Sequence, residues 1–137
     1  MILLVVLAVA ASAWSSSALG AITTFRTPSG NIGCAGGSFD GQQFLRCDIA
    51  RTRAIAPRRP ASCDLDWGNA FSMGPRGAAG RICHGDTVGF DGRVLAYGRT
   101  LRIGAFTCAS RAVGLTCRNR AGAGWFLSVE RVTLSRG

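Results

Sequence analysis

Two cysteines placed symmetrically about an Asp-Gly dipeptide constrain this chain more than any other feature. Asp40-Gly41 supplies the two positive-φ positions of a type I′ turn, whose twist matches that of the strands it joins. With those two residues as the loop, Phe39 pairs with Gln42, and counting back along both arms sets Cys34 directly opposite Cys47. That pair falls at a non-hydrogen-bonded position, where facing Cα atoms lie about 4.5 Å apart and within reach of a disulfide. The same register puts Ile32, Leu45 and Ile49 on the face that carries the sulfurs, and Gly33, Gln42, Arg46 and Asp48 on the other. Turn chemistry, alternation and cross-link geometry together predict one β-hairpin from Asn31 to Ile49.

The remaining cysteines extend the framework. A four-residue loop at Arg111 to Gly114 sets Cys108 opposite Cys117, a second cross-strand pair. A turn at Gly74 to Gly77 does not bring Cys63 opposite Cys83, so that bridge is assigned only by elimination. An even number of cysteines in an exported chain implies three disulfides, each contributing about 2–4 kcal/mol. Zinc needs closely spaced cysteine or histidine pairs; there is no C-x-x-C and a single histidine, so neither a metal nor another cofactor is expected.

Export is read from the first residues. Met1 to Trp14 carries no charged side chain and is too short to span a bilayer, which takes about 20 residues. Followed by the small-residue run Ser15 to Ala21, it has the form of a secretory signal peptide cut near Gly20 or Ala21, although no Lys or Arg opens it. The expected organisation is a signal over residues 1–20 and a single disulfide-stabilised β domain over 21–137. No later apolar run is long enough for a membrane span, which points to a product secreted or held at the cell envelope.

Within that domain, Ile22 to Arg26 reads as a first strand closed by Pro28-Ser29-Gly30-Asn31. A second Asp-Gly, Asp91-Gly92, predicts another hairpin, pairing Phe90 with Arg93 and Val88 with Leu95. Thr100 to Ile103, Ala105 to Ala109 and Gly114 to Arg118 read as short strands, and Trp125 to Leu134 as a last one with Trp125, Leu127 and Val129 on one face. Trp67, Trp125 and Tyr97 could stack on sugars or bases, but as the large side chains of a small β domain they are expected in its core. Short strands at regular spacing, 19 glycines and no helical period predict an all-β fold: a small antiparallel β-sandwich or barrel of short hairpins.

Charge gives the first functional indication. Sixteen arginines and no lysine stand against seven acids, for a net +9. A basic surface suits nucleic acid, anionic envelope polymers or acidic lipid headgroups, although an Arg-, Ala- and Gly-rich chain without lysine is also what a GC-rich genome imposes. The densest positive stretch is Ala50 to Ser62, where Pro57 and Pro60 exclude a regular central strand. It is expected to be an exposed loop, with Arg51, Arg53, Arg58 and Arg59 as candidate contacts to an anionic polymer or protein.

Catalytic constellations are sparse. His84 is the one histidine, and in a strand Asp86 shares its face and could orient the imidazole; the structural alternative is a surface histidine at a strand end. Glu130 and His84 would serve a ribonuclease-like scheme as base and acid, with Arg118 or Arg131 on the phosphate. Asp64 and Asp66 also share a face when extended, but two acids without an Asp-x-Asp-x-Asp-Gly loop fit structural caps better than a calcium site. The leading reading is therefore a non-catalytic exported domain, and the alternative a small hydrolase, ribonuclease-like or esterase-like, that uses His84.

The order of several landmarks resembles a known family. Thr27-Pro28-Ser29-Gly30-Asn31-Ile32-Gly33-Cys34, Leu45-Arg46-Cys47-Asp48-Ile49, Asp66-Trp67-Gly68, Cys83-His84-Gly85-Asp86-Thr87, Leu95-Ala96-Tyr97-Gly98 and Gly114-Leu115-Thr116-Cys117-Arg118-Asn119 follow one another along nearly the whole mature chain. Together they resemble a family of small secreted actinobacterial proteins of unknown function. The resemblance implies export and three disulfides. It supplies no activity, ligand or catalytic residue.

Overall fold

The computed structural model describes residues 21–137; the expected signal over residues 1–20 lies outside the described residues. All regular structure among them is β. In the first sheet, β1 (Thr23–Arg26), β2 (Ile32–Phe39), β3 (Gln42–Ile49), β4 (Ala70–Met73) and β5 (Gly80–Arg81) pair antiparallel in succession. The short β6 (Arg93–Val94) closes the far side of β1 in parallel. The second sheet is an antiparallel meander of β7 (Thr100–Ile103), β8 (Phe106–Arg111), β9 (Gly114–Arg118), β10 (Ala123–Leu127) and β11 (Val132–Arg136). No strand is shared between the sheets, so the all-β fold is a sandwich rather than a barrel.

The cysteine hairpin forms as its sequence predicts. Asp40 and Gly41 adopt φ of 50° and 74°, Phe39 pairs with Gln42, and Cys34 pairs with Cys47 across a Cα separation of 4.1 Å. Cys108 faces Cys117 in the same way, also at 4.1 Å, on the β8–β9 hairpin that closes through Arg111 and Gly114. Both cystines point inward. They join Phe25, Leu45 and Phe71 from the first sheet and Phe106, Leu115, Trp125 and Leu127 from the second in one core, each side chain at most 1% exposed. Phe71 and Trp125 meet across it with ring centroids 6.3 Å apart, and the Gln43 side chain accepts the Ala105 N–H from the opposite sheet at 2.9 Å. The Cys63–Cys83 bridge lies outside this core, beside one antiparallel pair in which Asp66 and His84 exchange backbone hydrogen bonds of 2.8 and 3.1 Å.

Asp91-Gly92 does not turn a hairpin. Neither residue has a positive φ, and the pairs Phe90 with Arg93 and Val88 with Leu95 are replaced by the parallel pairing of Arg93 and Val94 with Phe25 and Arg26. The arm that would have been the first strand is used elsewhere: residues 88–90 lie flat on the outer face of β2. A Cβ on Gly33 would fall 2.5 Å from the Val88 carbonyl oxygen and 2.6 Å from the Phe90 nitrogen, and Gly89, at φ +80°, lies as tightly on the Cys34 backbone. Only glycines allow that approach, and it covers the face of the hairpin opposite the sulfurs.

The segment Trp125 to Leu134 is two strands, not one. Ser128 folds it back: its backbone N–H and its hydroxyl both donate to the Arg131 carbonyl, and Oγ accepts the Arg131 N–H. Val129 therefore sits on the turn. The strand expected over Ala105 to Ala109 runs Phe106–Arg111. Of the three large aromatics expected inside, only Trp125 is in the core; Trp67 is half-buried and Tyr97 is 48% exposed. Three disulfides mark a protein that matures in an oxidising, extracellular-type environment. Among the described residues no helix is long and apolar enough to cross a membrane.

Candidate functional site

His84 is not a surface histidine. It is 5% exposed, with Nδ1 2.6 Å from the Asp86 carbonyl oxygen and Nε2 2.8 Å from Oδ1 of Asn69. Asp86 thus orients the imidazole through its backbone. Its carboxylate turns away to Arg46, Nη1 to Oδ1 at 3.2 Å. A general base must reach a substrate proton with a ring nitrogen, and both nitrogens of His84 are already engaged inside the protein.

Arg46 is the centre of this cluster. On β3 it shares a face with Asp48, two residues on, and grips that carboxylate bidentately at 2.9 and 3.0 Å. A third donor, the Val88 N–H, reaches Asp48 Oδ2 at 3.2 Å, and Arg46 Nη2 also donates to the Asp86 carbonyl at 2.8 Å. Asp48 is 1% exposed because the 86–90 strap crosses above it. Burial pushes the Arg46 guanidinium down, but Asp48 and Asp86 outweigh it and hold the group above its ordinary value. These are the only ion pairs among the described residues. The cluster fastens the strap that carries His84 and Cys83 to the outer face of the first sheet.

The basic stretch lies at the end of the sandwich where the β1–β2 and β10–β11 turns meet. Proline disfavours α conformation in the residue before it, so Ala56 and Arg59 are held extended, and the segment crosses the surface without regular strand pairing. Its start is clamped to both sheets. Asn31 accepts the Arg51 N–H and donates to the Arg51 carbonyl, both at 2.9 Å, while Thr52 Oγ1 donates to the Ser128 carbonyl and the Arg53 N–H to that of Val129. Farther along, Trp67 Nε1 donates to the Pro57 carbonyl at 3.0 Å, and Ala56 fills the space above Gly68. Arg51, Arg53, Arg58 and Arg59 are all exposed and none pairs with a carboxylate; Arg59 alone uses its guanidinium, on the Leu65 carbonyl. Asp64 and Asp66 are exposed nearby, and among the described residues no group of three potential metal ligands comes together.

Glu130 sits at the same end, on the turn after β10. With Thr27, Ser29, Tyr97, Arg111 and Val113 it lines a cavity of 170 Å³, which neither His84 nor Asp86 lines. This cavity thus groups Glu130 with Arg111 and not with His84. Arg131 lies over the Phe126 ring at 4.3 Å, and Arg118 is exposed on β9.

Over residues 1–135 the sequence matches the profile of a family of unknown function, DUF6636. The chain belongs to that family. No curated protein and no solved structure matches it. What the sequence left unseen in this DUF6636 member is the Arg46–Asp48–Asp86 cluster and the cavity. The first had a visible signal, opposite charges two residues apart on one predicted strand face. The second had none, since its walls come from four separate turns.

Proposed function

We propose that this member of DUF6636 is an exported, non-catalytic domain, secreted or retained at the cell envelope, that binds an anionic partner through the loop of residues 50–62. One observation supports the reading above others: four arginines stand exposed on a segment anchored at Arg51–Arg53 and again at Pro57, and no carboxylate pairs with them. An extended, preformed row of cations loses little conformational entropy on meeting a polyanion, and its binding is driven by counterion release. Cleavage of the leader near Gly20 or Ala21 is part of the proposal, and N-terminal sequencing of the exported protein reports on it. The hydrolase alternative finds little support in an enclosed His84 whose two nitrogens face Asp86 and Asn69.

The test is a salt series on the exported, oxidised protein with anionic envelope polymers. Four engaged arginines predict a log–log slope of roughly −3, and replacement of Arg51, Arg53, Arg58 and Arg59 by Gln abolishes it. An affinity insensitive to salt, or unchanged in the fourfold variant, ends the reading. RNA or ester hydrolysis that disappears in His84→Ala would restore the alternative.

A further inference from the structure

The loop carries one side chain that a purely electrostatic surface does not explain. Ile55 is 94% exposed, the most exposed large apolar residue among those described. Its position is not that of a slack loop tip. From Arg51 to Pro57 exposure alternates strictly, with Thr52, Ala54 and Ala56 half-buried and Arg51, Arg53, Ile55 and Pro57 turned out, the period-two pattern of extended chain. The inward residues are fixed: Thr52 Oγ1 holds the Ala54 N–H at 3.1 Å as well as the 128–129 carbonyls, and Ala56 packs over Gly68. With both neighbours docked, Ile55 cannot rotate into the protein. It is held outward, in line with Arg51 and Arg53 and just before Arg58 and Arg59.

We propose that this row is a membrane-surface contact: Ile55 enters the headgroup and upper acyl region of an anionic bilayer while Arg51, Arg53, Arg58 and Arg59 engage lipid phosphates. The inference rests on the anion-binding reading of the loop and names its partner. Charge complementarity selects acidic lipid, each arginine near such a surface adding to the attraction, and the apolar side chain selects a bilayer over a soluble polymer, which has no interior to receive it. Asp64 and Asp66, exposed around Leu65 on the neighbouring segment, oppose an anionic surface and mark the Ile55 row, not Leu65, as the inserting edge.

The experiment is co-sedimentation of the exported, oxidised protein with vesicles of phosphatidylglycerol and phosphatidylcholine, alongside phosphatidylcholine alone and a soluble anionic polysaccharide. The expected result is binding to the acidic and not to the phosphatidylcholine vesicles, weakened about tenfold by Ile55→Ser, the loss given by partial burial of one isoleucine. Ile55→Ser leaves polysaccharide binding unchanged. Ile55→Trp shows a blue-shifted emission with acidic vesicles that brominated lipid quenches. Full exposure of Ile55 means that neither substitution disturbs the fold, which near-ultraviolet circular dichroism verifies. Polysaccharide binding without vesicle binding overturns this inference and leaves the anion-binding function standing. Vesicle binding equal in parent and Ile55→Ser overturns insertion. Binding to neither defeats both readings.

Discussion

The Arg46 cluster offers a sharp energetic test because one guanidinium holds two carboxylates in opposite environments: Asp48 is 1% exposed and Asp86 78%. Asp48→Asn keeps the shape of the side chain but presents one acceptor where three N–H donors converge, two from Arg46 and one from Val88. The amide NH2 must then confront a donor, and the guanidinium loses its enclosed counter-charge. Removing one partner of a buried pair costs about 3–5 kcal/mol. Arg46 is itself 16% exposed and keeps its contacts to Asp86, which places the loss at the lower end, about 3 kcal/mol. Asp86→Asn removes a solvated partner worth about 0–1 kcal/mol, while the backbone carbonyl of residue 86 still accepts from Arg46 and meets His84. In urea, with a slope of about 1.5 kcal/mol per molar, the first substitution lowers the midpoint by about 2 M and the second by well under 1 M. Equal shifts, or a larger one for Asp86→Asn, would refute the claim that enclosure by the 86–90 strap gives the pair its weight.

Two further outcomes are expected. Ser110 Oγ is fully buried without a hydrogen-bond partner, so Ser110→Ala relieves an unpaired hydroxyl and raises stability by about 1 kcal/mol in the same urea assay, a loss of stability arguing against it. Cys83 is exposed, whereas Cys34, Cys47, Cys108 and Cys117 are at most 1% exposed. Mild reductant followed by alkylation and peptide mapping therefore labels Cys63 and Cys83 first, and prior labelling of either hairpin cystine would contradict this order.

How far the sequence foretells the fold depends on where each contact comes from. The Asp40-Gly41 hairpin is legible because turn, alternation and cystine are all local, and Cys108 with Cys117 is legible for the same reason. Asp91-Gly92 carries the same dipeptide and yields a different structure, because Gly33 and Gly89 let residues 88–90 settle on β2 instead of pairing with residues 93–95. That competition is long-range and leaves no local trace. The enclosure of His84 has the same origin: Asn69 and the strap bring its partners from both sides of the chain. Exposure of the four arginines follows from Pro57 and Pro60, whereas the outward Ile55 emerges only once Asn31, Ser128 and Gly68 are seen to dock its neighbours.

The two hairpin cystines carry a consequence for how the strands align. Each joins residues that face one another directly, and in a strand every side chain changes face with a slip of one residue. A misaligned hairpin would point one sulfur at the core and the other at solvent, beyond bonding distance. Once formed, each bridge excludes that slipped register and holds the aligned one. Each bridge is thus a covalent record of strand register, stored inside the core that the two sheets enclose.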